Sequence, residues 1–222
     1  MVGKNSFAFL FDVDGVLIET PHEESWRDAA IEYGLIDENF NFTSFYQNHV
    51  AGIPGIKGAE TILERTGYYI SQNIKSQEER EKYAEDLRRI KQKFFDSYIE
   101  NRDFIIFEDV ISIAKNAKND GIPIAAVSSS ENAEKILRRT NLYDFFDSLT
   151  LGAKTYNLRK KENLYVFAFG KLCGKLELPS TIIPIVFEDA GRAIVEVKDN
   201  INYFCIGIAR RGLTTTSSLL EK

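Results

Sequence analysis

Short apolar runs alternate along the chain with longer stretches in which apolar residues recur every three or four positions. A short run bounded by turn residues is typical of a buried strand, and the longer spacing is typical of a helix with one apolar face. The pattern predicts strands over 7–11, 122–127, 145–151, 181–187 and 202–209. It predicts helices over 23–33, 58–67, 76–98, 109–120, 131–140, 163–173 and 191–199.

The order of these elements indicates an α/β fold. Strands that alternate with helices form a parallel sheet with helices packed on both of its faces. The first predicted strand is followed by helices alone until the strand at 122–127, so we expect an all-helical insertion over 18–102. The predicted domains are a core of residues 1–17 and 103–222 and a helical domain of residues 18–102.

The composition of the chain limits the kinds of partner and the cellular compartment that we expect for it. Of its 222 residues 44% are hydrophobic and 27% are charged, which is ordinary for a globular protein with a sizeable core. A net charge of −5 argues against nucleic acid as a partner. No apolar run approaches the roughly 18–20 residues of a membrane span. Cys173 and Cys205 lack the spacing of a zinc site, so we expect free thiols in a reducing, cytoplasmic compartment.

Three of the predicted strands end in polar groups. Asp12 and Asp14 follow the first strand, serines 128–130 follow the second, and Glu188 and Asp189 follow the fourth. Each group alone has an ordinary explanation as a turn, a helix cap or a solvated helix start. In a parallel sheet, however, all the carboxyl ends lie along one edge, where ligands bind. Several carboxylates at one edge need a counter-ion, and hard oxygen ligands indicate Mg²⁺.

The segment FDVDGVL resembles the first motif of the haloacid-dehalogenase superfamily, and the other two polar groups fall where its second and fourth motifs lie. Within the superfamily the chain is most similar to the β-phosphoglucomutase-like phosphatases and mutases, through HEESW, HVAGIPGIKGAETIL, KQKFFDSYI and VSSSENAEKIL. The resemblance covers nearly the whole chain. It implies a Rossmann-like core domain with an inserted α-helical cap domain.

The resemblance also implies a role for each polar residue at the sheet edge. Asp12 is expected to be the nucleophile that forms an aspartyl-phosphate, and Asp14 the acid and then the base. Mg²⁺ is expected to bind the Asp12 carboxylate, the Asp14 backbone carbonyl and Asp189, with Glu188 as a ligand or as support for one. Ser128 and Ser129 are expected to bind phosphoryl oxygens.

The third motif of the family holds a lysine in a proline-containing stretch, whereas this chain reads LRKKENLYVFAF. Arg159, Lys160 and Lys161 are all candidates for the cation, and we favour Lys160. The alternative is that these residues form a solvated basic turn before a helix.

Two cap residues match family positions that approach the substrate: His22, four residues before Trp26, and Lys91. A surface histidine at a helix start and a solvated lysine are the alternatives. The mutases grip a second phosphate with an arginine in the cap and a basic residue after the second motif. Gly55 and Glu131 occupy those positions here, which favours a phosphatase.

The sequence therefore predicts a Mg²⁺-dependent phosphatase that acts on a small phosphorylated metabolite such as a sugar phosphate. A sugar phosphomutase is the first alternative, and a non-catalytic ligand-binding protein on the same scaffold is the second.

Overall fold

The structure is a computed structural model that describes residues 6–101, 104–152, 161–201 and 203–210, apart from the side chains of residues 161, 162, 192 and 200. The chain divides into two compact units. One contains the chain up to Thr20 and from Phe104 onward, and the other runs from Pro21 to residue 103. We call them the core unit and the helical unit.

The core unit is built on a five-stranded parallel sheet, as the α/β prediction required. Its strands are β1 (Phe7–Asp12), β4 (Ile124–Ser128), β5 (Ser148–Leu151), β6 (Ile183–Glu188) and β7 (Phe204–Gly207). Their order across the sheet is β5-β4-β1-β6-β7, and each neighbouring pair is parallel. β1 therefore lies at the centre, between β4 and β6. This order places the ends of the three strands that carry polar residues next to one another.

Helices of the core unit connect successive strands. They are α6 (Glu108–Asn119), α7 (Ala133–Arg139), α8 (Lys161–Leu176) and α9 (Gly191–Ile201). Side chains alternate between the two faces of a strand. On one face of the sheet, Ala8 and Leu10 of β1 pack with Leu164, Ala168 and other apolar residues of α8. On the other face, the rings of Phe11 and Phe187 stack with their centroids 4.4 Å apart.

The helical unit contains α1 (His22–Glu32), α2 (Phe42–His49), α3 (Gly55–Arg65), α4 (Tyr68–Ser71) and α5 (Gln77–Asn101). Its own apolar core includes Trp26, Ile62, Leu63 and Leu87. α5 begins as predicted, because the Ser76 hydroxyl accepts a hydrogen bond from the Glu79 N–H at 3.2 Å. The helices α2 and α4 were not predicted. Both are short, and their aromatic residues fit a strand pattern as well as a helical one.

The core unit also contains a second, two-stranded sheet. β2 (Ile18–Glu19) pairs antiparallel with β3 (Ile105–Ile106). Residues 18–20 belong to the core unit, so the division between the units falls after Thr20, whereas the sequence predicted it after Leu17. Cys173 and Cys205 are free thiols. Among the residues that the structure describes, no helix combines the length and the hydropathy that a membrane crossing requires.

Candidate functional site

The end of β1 carries the two aspartates predicted to be catalytic. Asp12 is the last residue of the strand and is 3% exposed. Asp14 lies in a turn in which the Gly15 N–H donates a hydrogen bond to the Ile18 carbonyl at 2.9 Å. The Thr20 hydroxyl donates a hydrogen bond to Asp14 Oδ1. The strand thus buries the first carboxylate, and the turn holds the second in a half-buried position.

The end of β6 brings two more carboxylates to the same place. Glu188 is fully buried, and Asp189 follows it directly. One carboxylate oxygen from each of Asp12, Glu188 and Asp189 lies within 4.8 Å of the others. The turn after β1 approaches this group closely, since a Cβ added to Gly15 would overlap the Asp189 carboxylate. Gly15 also has a φ of 78°, a conformation that favours glycine.

The three carboxylates fit a divalent metal ion. Two unit charges 4.8 Å apart repel each other by about 3.5 kcal/mol at an effective dielectric constant of about 20. A cation at the centre of the group replaces this repulsion by attraction. The donors are all carboxylate oxygens, which suit Mg²⁺, Ca²⁺ or Mn²⁺ and do not suit softer metals. Asp12, Glu188 and Asp189 are therefore the described residues that are able to hold such an ion.

The serines after β4 have three different environments. Ser128 is the last residue of the strand, is 2% exposed, and accepts a hydrogen bond from the Ser130 N–H at 3.1 Å. Ser129 is exposed. Ser130 accepts a hydrogen bond from the Asn132 N–H at 3.2 Å, in the turn that precedes α7, and its side chain does not cap that helix. Because β4 neighbours β1, Ser128 and Asp12 end adjacent strands.

Hydrogen bonds from Tyr165 and Ala190 reach the two carboxylate oxygens of Glu188. The phenol of Tyr165, on α8, donates to Oε2 at 2.7 Å, and the N–H of Ala190 donates to Oε1 at 3.2 Å. Burial first, and then the charges of Glu188 and Asp12, raise the pKa of Tyr165 well above its ordinary value, so the phenol keeps its proton. Burial and then Glu188 also raise the pKa of the Cys205 thiol to about 12.

Tyr165 supports the site, but no motif in the sequence indicates this role. It lies in the predicted helix over 163–173, among apolar residues. The available signal was the residue type, because a buried tyrosine needs a partner for its hydroxyl. The identity of that partner does not follow from the sequence.

In the helical unit, the two predicted substrate residues contact each other. Lys91 Nζ, on α5, lies 2.9 Å from Nδ1 of His22 at the start of α1. Lys91 is only 6% exposed, and its amino group lies 4.1 Å from the centroid of the Phe95 ring, which also stacks on His22. Burial and then Lys91 hold the pKa of His22 well below its ordinary value. A neutral imidazole is therefore available as an acceptor for the Lys91 ammonium group.

The alternatives of a surface histidine and a solvated lysine do not agree with the structure, because His22 is half-buried and Lys91 is buried. The candidates for the third-motif cation cannot be placed relative to the site. Arg159 and Lys160 lie outside the described residues, and Lys161 begins α8 with its side chain undescribed. The preference for Lys160 stays a prediction.

The fold and the acidic cluster define an α/β protein with a site at the carboxyl edge of its sheet. The chain belongs to the haloacid dehalogenase-like hydrolase family, whose model matches residues 8–175. This confirms the family resemblance drawn from the sequence. Among curated proteins, the chain is similar to the phosphorylated carbohydrates phosphatase of Thermotoga maritima, with 21% identity over 198 residues that cover 86% of this chain and 80% of that protein.

Solved structures agree on the fold. The chain is similar to an archaeal β-phosphoglucomutase from a Pyrococcus species, with 28% identity, a TM-score of 0.77, and coverage of 97% of this chain and 90% of that one. A β-phosphoglucomutase from Clostridium difficile is 27% identical with a TM-score of 0.67, and the match covers 91% of this chain and 84% of that one. The predicted α/β fold class is thereby confirmed.

Proposed function

We propose that this protein is a Mg²⁺-dependent phosphatase that hydrolyses a small phosphorylated metabolite, such as a sugar phosphate, through an aspartyl-phosphate. The observation that carries the proposal is the grouping of Asp12, Glu188 and Asp189, whose oxygens lie within 4.8 Å of one another, with Asp14 two residues beyond Asp12. The similarity to a phosphorylated carbohydrates phosphatase supports the substrate class.

In the proposed reaction, an Asp12 carboxylate oxygen attacks the phosphorus atom of the substrate. The bond from phosphorus to the ester oxygen breaks, and Asp14 gives its proton to the leaving oxygen. Asp14, now a carboxylate, then takes a proton from a water molecule that attacks the aspartyl-phosphate. Phosphate leaves and both aspartates return to their starting states. Thr20, which donates a hydrogen bond to Asp14, keeps that carboxyl group oriented.

The metal ion, when bound, neutralises the negative charge that otherwise keeps Asp12 and a phosphate group apart. Asp12, Asp189 and the Asp14 backbone carbonyl are the proposed ligands, with Glu188 as a ligand or as support for one. We assign Ser128 and Ser129 to the phosphoryl oxygens and Lys160 to the balancing cation.

We also assign the His22–Lys91 pair to contact with the substrate, following the family resemblance. In favour of this role, the ammonium group of Lys91 lies 2.9 Å from His22 Nδ1 and 4.1 Å from the centroid of the Phe95 ring, so the two cap residues form one polar group. An anionic or hydroxyl-rich substrate suits such a group.

Sugar phosphomutase activity is the second candidate, because two similar structures with 28% and 27% identity are β-phosphoglucomutases. Two residues favour hydrolysis. Glu131, where the mutases have a basic residue, is exposed and its charge repels a second phosphate. Gly55, where they have an arginine, is the first residue of α3.

A screen of phosphate esters with Mg²⁺, and with the metal removed by chelation, tests the proposal. We expect Mg²⁺-dependent release of inorganic phosphate. Asp12→Asn is expected to lower this rate by at least about 10⁴-fold, because the amide is not a nucleophile. Asp144→Asn, which removes an exposed carboxylate of the same unit, is the matched control and keeps the parental rate.

Phosphorus NMR separates the alternatives in the same experiment. A mutase converts a hexose 1-phosphate to the 6-phosphate when a bisphosphate activator is present, and it releases little free phosphate. A non-catalytic protein binds the esters without turnover. Phosphate release by Asp12→Asn at the parental rate would refute the proposed mechanism.

A further inference from the structure

We infer that Tyr165 is a positioning residue of the metal site, acting through the hydrogen bond from its phenol to Glu188. The inference rests on the proposed function only in taking the acidic cluster to be a metal site. Both residues are fully buried, and the donor–acceptor distance is 2.7 Å. Tyr165 is on α8 and Glu188 ends β6, so the bond joins a helix to the site at the sheet edge.

The hydrogen bond fixes a group that is otherwise expensive to bury. A buried carboxylate without donors carries a desolvation penalty of several kcal/mol. Tyr165 donates to one oxygen of Glu188, and the Ala190 N–H donates to the other. Donors on both oxygens, supplied by two different parts of the chain, leave the carboxylate little freedom to rotate.

The orientation of Glu188 matters because of its neighbours. One of its oxygens belongs to the group that also contains oxygens of Asp12 and Asp189. If the Glu188 carboxylate turned, the donor set presented to a metal ion would change in position and charge. Outer hydrogen bonds of this kind hold metal-site carboxylates in place, and their loss typically costs about 10–100-fold in metal affinity.

The position of the phenol is itself set by the apolar core. The Tyr165 ring belongs to the cluster between α8 and the sheet, in which side chains are close-packed and have few alternative positions. Other members of this cluster lie on β1, β4, β6 and α8, among them Leu10, Val127, Val186 and Leu164. The packing of α8 on the sheet thus determines where the donor for Glu188 lies.

The test is the affinity of the full chain for Mg²⁺, measured by isothermal titration calorimetry after removal of metal. Tyr165→Phe removes one oxygen atom and keeps the ring, so the core remains filled. We expect its dissociation constant for Mg²⁺ to rise by about 10–100-fold. Tyr203→Phe, a half-buried tyrosine packed against the same cluster, is the matched control and keeps the parental affinity.

A double-mutant cycle separates positioning from a merely structural role. If Tyr165 acts through Glu188, then Tyr165→Phe has no further effect on Mg²⁺ affinity in a Glu188→Ala background, which has no side-chain acceptor for the phenol. A urea unfolding curve for each variant establishes that it is folded at the temperature of the titration. An unchanged affinity in Tyr165→Phe, or an equal loss of affinity with and without Glu188, overturns the inference.

The outcomes for the two proposals are distinct. Loss of Mg²⁺ affinity in Tyr165→Phe, in a parent that releases no phosphate from any ester, supports the positioning role and contradicts the phosphatase. If Tyr165→Phe keeps the parental Mg²⁺ affinity and the parent has Mg²⁺-dependent phosphatase activity, the result supports the phosphatase and contradicts the positioning role. A parent that binds no Mg²⁺ contradicts both.

Discussion

Gly15→Ala is the change for which the structure makes the sharpest prediction. The new methyl group has two effects. It forces a non-glycine residue into a conformation with a φ of 78°, which costs roughly 1–2 kcal/mol. It also occupies the space of the Asp189 carboxylate, so that side chain or the turn must move.

Gly121→Ala separates these effects. Gly121 has a φ of 73°, and a Cβ added there meets nothing within 4 Å. Gly121→Ala is expected to lose roughly 1–2 kcal/mol of unfolding free energy, measured by urea titration, and Gly15→Ala at least as much because of the added contact with Asp189. Only Gly15→Ala displaces a metal-site carboxylate. Its Mg²⁺ affinity is therefore expected to fall by at least the roughly 10–100-fold that loss of an outer hydrogen bond costs.

Calorimetric titration with Mg²⁺ and the rate of phosphate release measure the difference between the two variants. We expect Gly121→Ala to have the parental Mg²⁺ affinity and the parental rate of phosphate release. We expect both quantities to be lower in Gly15→Ala. The reasoning is refuted if Gly15→Ala binds Mg²⁺ as tightly as Gly121→Ala does, because Asp189 then has no need of the space next to Gly15.

Three further changes test the helical unit. Since the pKa of His22 is held low by burial and by Lys91, the unfolded chain gains a proton near pH 6.5 that the folded chain does not. The unfolding free energy should therefore decrease as the pH falls below about 6.5, by at most about 1.4 kcal/mol per pH unit from this group. Urea titrations across this range should show a weaker decrease for His22→Gln than for the parent, and an equal decrease in the two proteins contradicts the low pKa of His22. Ser76→Ala removes the N-cap of α5 and should cost about 1 kcal/mol in the same assay; no loss contradicts the cap. Phe95→Ala empties a fully buried site and should cost about 3–5 kcal/mol, whereas Phe95→Leu should cost far less.

The elements of the fold were predictable where local patterns decide them. The five strands of the parallel sheet and its connecting helices follow apolar runs and helical spacings in the sequence. β2 and β3 were not predictable, because each has two residues and forms only by pairing Ile18 with Ile106 across the whole helical unit.

The sequence by itself determined which carboxylates can meet. Asp12, Glu188 and Asp189 follow strands, and the carboxyl ends of parallel strands share one edge. The sequence also predicted correctly that both cysteines are free thiols and that Ser76 caps α5.

Only the tertiary structure decided which groups support these residues. Tyr165 is 23 residues from Glu188 along the chain, and Lys91 is 69 residues from His22. No local pattern encodes such contacts, because they depend on how whole helices pack. Periodicity indicates which face of a helix is buried, but the partner of a single polar group on that face is fixed by the packing of the entire core.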